Sequence, residues 1–489
     1  MATFSIENFG CRATDADAAA LRTRLLASGF ENVGEHTRAD VVVLNTCTVT
    51  AAADSQAREA VRKIHRVNPG AHIVVTGCYA QRAPEELAAL EGVQWVIGNS
   101  HQTQIPELLR DSISAPTIAH AAGGDFFPLA RLDGESLSLA RGPAKILSGD
   151  IFAQATVHLA PGALAGSDRT RPILKIQDGC NNRCSYCVIP FVRGRSRSLE
   201  PGLVVEEVRK LVGAGAQEIV LSGINLGAYG RDLMPRVELA SIVERILNET
   251  KLERLRFSSI EPHDVTEDFV ALLASSERIA PHFHIPLQSG SDRILGAMRR
   301  WYRAEHYAER LHIIRRYLPG ASIGADVIAG FPGETESDFQ STVEFIERLP
   351  FTYLHVFSFS ERPGTEAEKI AERVERETIQ KRARALRALG VTKSAAFRAS
   401  QAGQILRALT LARGSEEWTE ALTGNYLKVR IAGRHAANQW CDVPLPVDPV
   451  GIGEPLEFHP PLIRNGARSD DRRASRGSPE SSMPEAPLP

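Results

Sequence analysis

Cys180-Asn181-Asn182-Arg183-Cys184-Ser185-Tyr186-Cys187 puts three thiols into eight residues, between Leu174-Lys175-Ile176-Gln177-Asp178-Gly179 before and Val188-Ile189-Pro190-Phe191-Val192-Arg193-Gly194-Arg195 after. A structural zinc site needs four protein ligands, and the next histidine along the chain is the distant His263, so the triplet is not a complete tetrahedral set. Soft thiolates in so short a loop suit an iron–sulfur cluster, and three ligands on a four-iron cube leave one iron open for chemistry. A zinc knuckle and three unrelated core cysteines are the alternatives on spacing alone.

Upstream, three apolar runs each lead to a cysteine: Thr3–Ile6 to Cys11, Val41–Leu44 to Cys47, and Ile73–Thr76 to Cys78. Amphipathic segments near residues 15–28 and 52–66 lie between them, so the order strand, helix, strand, helix, strand predicts a doubly wound α/β unit. Ligands bind such sheets beyond the carboxyl ends of the strands, where these three cysteines would converge. Gly10, Thr46 and Gly77 beside them would let the backbone approach a bulky group.

The triplet spacing, the aromatic before its third cysteine and the Arg-Gly-Arg after it resemble the radical S-adenosylmethionine (SAM) enzymes. From about residue 3 to about residue 460 the chain resembles the methylthiotransferases among them, which insert a methylthio group into an unactivated C–H bond. The resemblance implies two [4Fe-4S] clusters, one on Cys180, Cys184 and Cys187 and an auxiliary one on Cys11, Cys47 and Cys78. It also implies that the first cluster binds SAM and cleaves it by one-electron reduction to a 5′-deoxyadenosyl radical. By the same resemblance, the auxiliary cluster would donate sulfur, methylated by a second SAM. The family's usual asparagine three residues after the first cysteine is Thr14 here.

Strand-like runs recur after the triplet at Ile173–Gln177, Glu218–Ser222, Leu255–Ile260, Phe283–Leu287, Ile323–Ala329 and Tyr353–Phe359, with helical stretches between them. Six β/α units in succession predict an incomplete (β/α)6 barrel, with chemistry at the carboxyl ends of its strands above an apolar core. Those ends carry Gly223, Asn225, Glu261 and Gln288, and Asp326 interrupts an otherwise apolar strand. The resemblance implies that this ring is the SAM pocket, with Gly223 near the methionyl amine and Glu261 and Gln288 toward the nucleoside. A lone buried carboxylate is costly, so Asp326 is expected inside the barrel beside a polar partner.

The expected organisation is an α/β domain over 1–110, a linker over 111–168 with a short strand around 151–159, and the barrel over 169–400. A small β-barrel resembling the RNA-binding TRAM domain follows over 401–460, then a disordered tail over 461–489. Its clearest strand is Leu422–Ile431, and Cys441 is read as a core residue. Basic residues gather beside the triplet (Arg183, Arg193, Arg195, Arg197) and between Arg293 and Arg316, where Trp301, Tyr302 and Tyr307 interleave. Aromatic faces with guanidinium groups suit an unstacked RNA base and its phosphates, while a solvated helix face competes for the second cluster.

With 489 residues, 43% hydrophobic and 24% charged, the chain has the composition of an ordinary globular protein of several domains. A net charge of −2 is no footprint of a protein that coats nucleic acid. Seven scattered cysteines argue for a reducing compartment, and without a signal segment or a membrane-length apolar run the expected location is the cytoplasm. The resemblance further implies a tRNA substrate, an external electron donor, a sulfur source and a monomer. The segments Gly77–Gln81, Gly324–Gly330 and His355–Thr365 look most like the branch acting on carbon 2 of threonylcarbamoyladenosine at tRNA position 37. The alternatives are isopentenyladenosine in tRNA, a ribosomal protein aspartate, or a non-catalytic iron–sulfur RNA-binding protein.

Overall fold

The computed structural model describes residues 1–34, 36–114, 144–154, 156–157 and 170–446. An all-parallel sheet opens the chain: β1 (Thr3–Asn8), β2 (Glu31–Asn32), β3 (Val41–Thr46), β4 (His72–Gly77), β5 (Val93–Gly98) and β6 (Lys145–Leu147), in spatial order β2-β1-β3-β4-β5-β6. β3 is buried at every position, as expected of a parallel strand covered on both faces. Helices α1 (Arg12–Ala27) and α5 (Ile105–Ser114) cover one side through Leu21, Leu25, Ile105 and Leu109. On the other lie α2 (Ala51–Val67), α3 (Cys78–Arg82) and α4 (Pro84–Ala88), with Val61, Ile64, Tyr79 and Leu87 in a second apolar layer. The doubly wound expectation holds. The strand Lys145–Leu147, however, falls inside the stretch expected as linker, because the sheet needs a neighbour for β5. Around 151–159 the described residues form a single 3-10 turn, Ile151–Ala153, in place of a strand. Residues 115–143, 155 and 158–168 of that linker, residues 447–460 and the tail lie outside the described residues, while 111–114 continue α5.

The central unit holds β7 (Ile173–Lys175), the short β8 (Gln177–Asp178) and β9 (Arg197–Ser198) with α6 (Ile189–Arg193) between them, then β10 (Glu218–Ser222), β11 (Arg254–Phe257), β12 (His282–His284), β13 (Ser322–Ala329) and β14 (Tyr353–Ser358). Parallel pairing runs β7-β10-β11 and β12-β13-β14, and the bridge Ser259–His284 joins the halves into an open six-stranded wall. Helices α7 (Pro201–Gly213), α8 (Leu239–Glu249), α9 (Glu267–Ala274), α10 (Asp292–Ala297), α11 (Ala304–Tyr317), α12 (Glu336–Arg348) and α13 (Arg376–Ser400) follow the strands. Strand residues such as Leu221, Phe257, Phe283 and Val327 pack with helix residues Val208, Ile246, Leu311 and Leu386 in the largest apolar cluster.

A four-stranded antiparallel sheet closes the described chain: β15 (Ile405–Gly414), β16 (Trp418–Thr423), β17 (Lys428–Ala432) and β18 (Trp440–Pro444), in order β17-β16-β15-β18. The single strand expected over Leu422–Ile431 is a hairpin, because Tyr426 adopts a left-handed φ of 69° and turns the chain. Cys441 is fully buried in this module's core, as expected.

Candidate active site

Cys11, Cys47 and Cys78 follow directly on β1, β3 and β4, at the carboxyl edge of the N-terminal sheet. Their loops touch. Gly10 sits at φ +131°, and a Cβ there would lie 2.6 Å from Cys47 Cβ and 3.2 Å from its Sγ. Gly77, at φ +99°, presses against the Thr46 backbone, where a Cβ would meet the carbonyl oxygen at 2.4 Å. Only glycine combines that conformation with that closeness. Burial, followed by the neighbouring Cys78 and Cys11 thiols, pushes the Cys47 thiol up to about 12, and burial raises Cys78 as well. Thr14 is fully buried and donates to the Cys11 carbonyl at 2.7 Å, so it braces the loop from the position where the family has asparagine.

The CxxxCxxC loop is pinned at both ends. Cys180 N donates to Gly194 O (3.1 Å), Ser185 N to Met298 O (3.0 Å), and Ala367 N to Ser185 O (2.7 Å). Burial, with the neighbouring thiols, lifts Cys180 to about 11 and Cys187 to about 12, so in both triads a cationic core would have to supply the charge that holds thiolates. Arg300 stands over this loop: its Nη1 is 3.4 Å from Cys184 Sγ, its Nη2 pairs with Glu261, and its side chain is 3% exposed. The sequence placed Arg300 in a basic cluster without singling it out.

The two triads adjoin. Cys78 packs with Val188, Ile189 and Val192 of the segment that follows Cys187. Asn99 Nδ2 lies 3.5 Å from Cys78 Sγ and donates to Val192 O at 2.9 Å. Two buried ion networks lock the N-terminal sheet onto the barrel. In one, Asp17 of α1 meets Lys175 and Arg193, which also hold Asp178. In the other, Asp54 receives Arg82 and Arg362, the latter at 2.7 Å from beyond β14. Asp17 was recognisable only as an acid on the alanine-rich inward face of α1.

The carboxyl ends of β10 and β11 present buried polar atoms without a hydrogen-bond partner among the described residues: Ser222 Oγ, Asn225 Oδ1 and Ser258 Oγ. Such orphans are rare in a finished interior and fit a polar ligand. Gly223 backs onto Gln177, where a Cβ would meet Oε1 at 2.8 Å, and Gln177 Oε1 accepts from Asn225 N. Gln288 is nearly buried at a left-handed φ of 66°, with its N–H on Asp326 O at 2.8 Å, a strained geometry of the sort that gathers at ligand sites. Asp326 faces inward as expected, with His284 Nε2 at 3.0 Å and His355 Nδ1 at 3.3 Å from Oδ1. Burial opposes its ionisation, and the two imidazoles overcome that, holding its carboxyl below the usual range.

Two expectations need correction. Below the mouth the barrel interior is polar, lined by Glu218, Arg254, Arg256, His282 and Tyr353. The open barrel can hold these charges because Glu218 pairs with both arginines and carbonyls of the C-terminal module accept their remaining N–H groups. Arg254 donates to Leu422 O, Arg256 to Thr423 O and Gly424 O, and the Tyr426 ring stacks on His282 at 4.2 Å. The basic clusters are also thinner at the surface than their sequences suggest, since Arg193, Arg197, Arg300, Tyr302 and Tyr307 are internal. Arg183, Arg195, Arg303 and Trp301, the last 73% exposed, remain on the rim.

A parallel α/β sheet with Cys11, Cys47 and Cys78 at its carboxyl edge adjoins an open barrel that carries a CxxxCxxC loop, the combination expected of a radical enzyme. Residues 3–98 match the family described as uncharacterized protein family UPF0004, and residues 174–346 the radical SAM superfamily. The threonylcarbamoyladenosine tRNA methylthiotransferase MtaB of Aquifex aeolicus is 36% identical over 88% of this chain and 96% of its own length, and that of Bacillus subtilis 36% over 88% and 91%. The tRNA-2-methylthio-N(6)-dimethylallyladenosine synthase of Thermobifida fusca is 34% identical over 78% of this chain and 72% of its own. A radical S-adenosylmethionine methyltransferase, TsrM of Kitasatospora setae, shares the fold at a TM-score of 0.54 with 17% identity, over 75% of this chain and 77% of its own. The chain belongs to the radical SAM methylthiotransferase family.

Proposed function

We propose that this enzyme inserts a methylthio group at carbon 2 of threonylcarbamoyladenosine at position 37 of tRNA. The observation that carries the reading is the packing of Cys78 against Val188, Ile189 and Val192, the segment leaving Cys187. The choice of adenosine rests on the two MtaB relatives, whose identity and coverage exceed those of the dimethylallyladenosine synthase.

Cys180, Cys184 and Cys187 would hold one [4Fe-4S] cluster, and Cys11, Cys47 and Cys78 the other. Soft thiolate donors and the orphaned hydroxyl and amide oxygens suit two clusters and SAM. Bound there, clusters and SAM supply the reducing electron, the hydrogen-abstracting radical and the transferred sulfur. The chain orients and excludes water. Arg300, buried between Cys184 and Glu261, would offer a fixed cation to the carboxylate of SAM beside the cluster held by Cys180, Cys184 and Cys187. Ser222, Asn225 and Ser258 offer polar groups to the remainder of SAM, and Gln288 and Asp326 close the far side. We place RNA on the rim bearing Arg183, Arg195, Arg303 and Trp301 and on the C-terminal module, which we read as TRAM-like. The enzyme would act as a cytoplasmic monomer with an external reductant and sulfur source.

The decisive measurement is mass spectrometry of tRNA nucleosides from cells with and without the gene. Loss of the 2-methylthio derivative of threonylcarbamoyladenosine is expected. Loss of the isopentenyl derivative in its place would refute the substrate assignment, and an unchanged tRNA profile the assignment to tRNA.

A further inference from the structure

Arg193 stands six residues after Cys187, at the end of α6, with 2% of its surface exposed. Its terminal nitrogens are occupied: Nη2 donates to Asp17 Oδ2 at 2.7 Å, and Nη1 to Asp178 Oδ1 at 3.1 Å. Nε is buried and has no hydrogen-bond partner among the described residues. An unsatisfied N–H on a buried cation is costly enough to call for an explanation.

The charges around it are unequal. Lys175, Arg193 and Arg197 face Asp17 and Asp178, three cations against two carboxylates, and all five are less than a tenth exposed. One positive charge is left over in a region closed to water. Val192, the residue before Arg193, packs against Cys78, and Asn99 reaches both Cys78 Sγ and the Val192 carbonyl. The Cys78 and Cys11 thiols stand near enough to the guanidinium to favour its charge, beside Asp17 and Asp178. Three thiolates outweigh the positive charge of an oxidised four-iron cube, so the assembly is an anion, and its reduction makes it more so.

We propose that Arg193 Nε donates a hydrogen bond to a sulfur of the cluster held by Cys11, Cys47 and Cys78, and that the surplus charge of the Asp17–Arg193–Asp178 network balances that cluster. The consequence is electrochemical. A cation and an N–H···S bond stabilise the reduced cluster and raise its potential. Because α6 starts two residues after Cys187, the same residue ties the sulfur-bearing cluster to the radical-generating loop. The inference rests on the two-cluster reading above.

The test uses the full chain with Cys180, Cys184 and Cys187 all changed to alanine, grown on guanidino-15N arginine and reconstituted anaerobically with iron and sulfide. Pulsed electron paramagnetic resonance of the dithionite-reduced cluster should record a 15N coupling that disappears in Arg193→Lys. The midpoint potential should fall in Arg193→Gln and lie between the two in Arg193→Lys, which keeps the charge. No 15N coupling in the protein that retains Arg193 overturns the inference, whether or not any variant folds. Equal midpoints in all three proteins at equal iron content overturn it too. If the triple-alanine chain takes up no iron, the two-cluster reading fails first and carries the inference down with it.

Discussion

Glu218→Gln removes one negative charge and almost no volume from the floor of the barrel. Glu218 is fully buried and accepts from Arg254 Nε at 2.5 Å, Arg256 Nε at 2.7 Å and Arg171 Nη1 at 3.2 Å. With glutamine there, two guanidinium groups that are 5% and 0% exposed lose their counter-charge. Breaking a buried pair from one side costs ~3–5 kcal/mol. Both arginines keep their carbonyl bonds to the C-terminal module, so the lower end, ~3 kcal/mol, is expected. That corresponds to a fall of about 6–12 °C in the midpoint of a transition the size of the barrel. The control is Glu249→Gln, which loosens the exposed pairs with Arg245 and Arg209 and should leave the midpoint nearly where it is in the parent. Burial opposes ionisation of Glu218, but Arg256, Arg254 and Arg171 prevail and hold its carboxyl below the usual range. A depressed folded-state pKa gives stability that is present above the unfolded value of ~4.3 and lost as pH falls toward the folded one. The gap between parent and variant should therefore stay constant from pH 7 to about 5 and close only below about 4. The assay is thermal unfolding by circular dichroism across that range, both proteins loaded alike. A midpoint no lower than that of Glu249→Gln at pH 7 would refute the reasoning.

Cys184→Ala should abolish 5′-deoxyadenosine formation, whereas Cys47→Ala should retain it and yield no methylthiolated nucleoside; product from the second variant would remove the auxiliary triad from the mechanism. Trp301→Ala should weaken binding of unmodified tRNA by ~1–3 kcal/mol, about five- to 150-fold, without altering the salt dependence, because a stacking face is lost and no cation is. Filter binding at two salt concentrations decides it, and an unchanged affinity would leave Trp301 outside the interface. Arg300→Lys should raise the KM for SAM by well over tenfold, since a point charge cannot bridge Glu261 and a carboxylate as a planar fork does; an unchanged KM would free Arg300 from the pocket.

The parallel sheet, the open barrel and the meeting of Cys11, Cys47 and Cys78 were legible because strand periodicity and strand-end position are local properties. Polarity inside the barrel was not. Arg254-Leu255-Arg256-Phe257 alternates cleanly, and a charged alternate face ordinarily belongs to solvent. Here the register sets Glu218 beside Arg254, so that face turns inward. Arg193 misled in the same way: a basic residue in a basic run reads as surface until Asp17, 176 residues earlier, is seen to meet it. The hairpin at Tyr426 escaped notice although Gly424-Asn425 marks its turn, because the apolar residues Leu422, Tyr426 and Leu427 read through it as one strand. Non-local charge pairing leaves little trace in a single sequence, and most of what was missed is of that kind.

Tyr426 bears on how such enzymes can be taken apart. Its hydroxyl receives Arg12, the residue after Cys11, while its ring lies beneath the barrel on His282. The last module is thus a keel for the catalytic body, and amputating it would disturb the residue beside Cys11 at the same stroke. Exchanging modules between homologues would preserve the catalytic body only if the Thr423–Leu427 hairpin travelled with its matching underside.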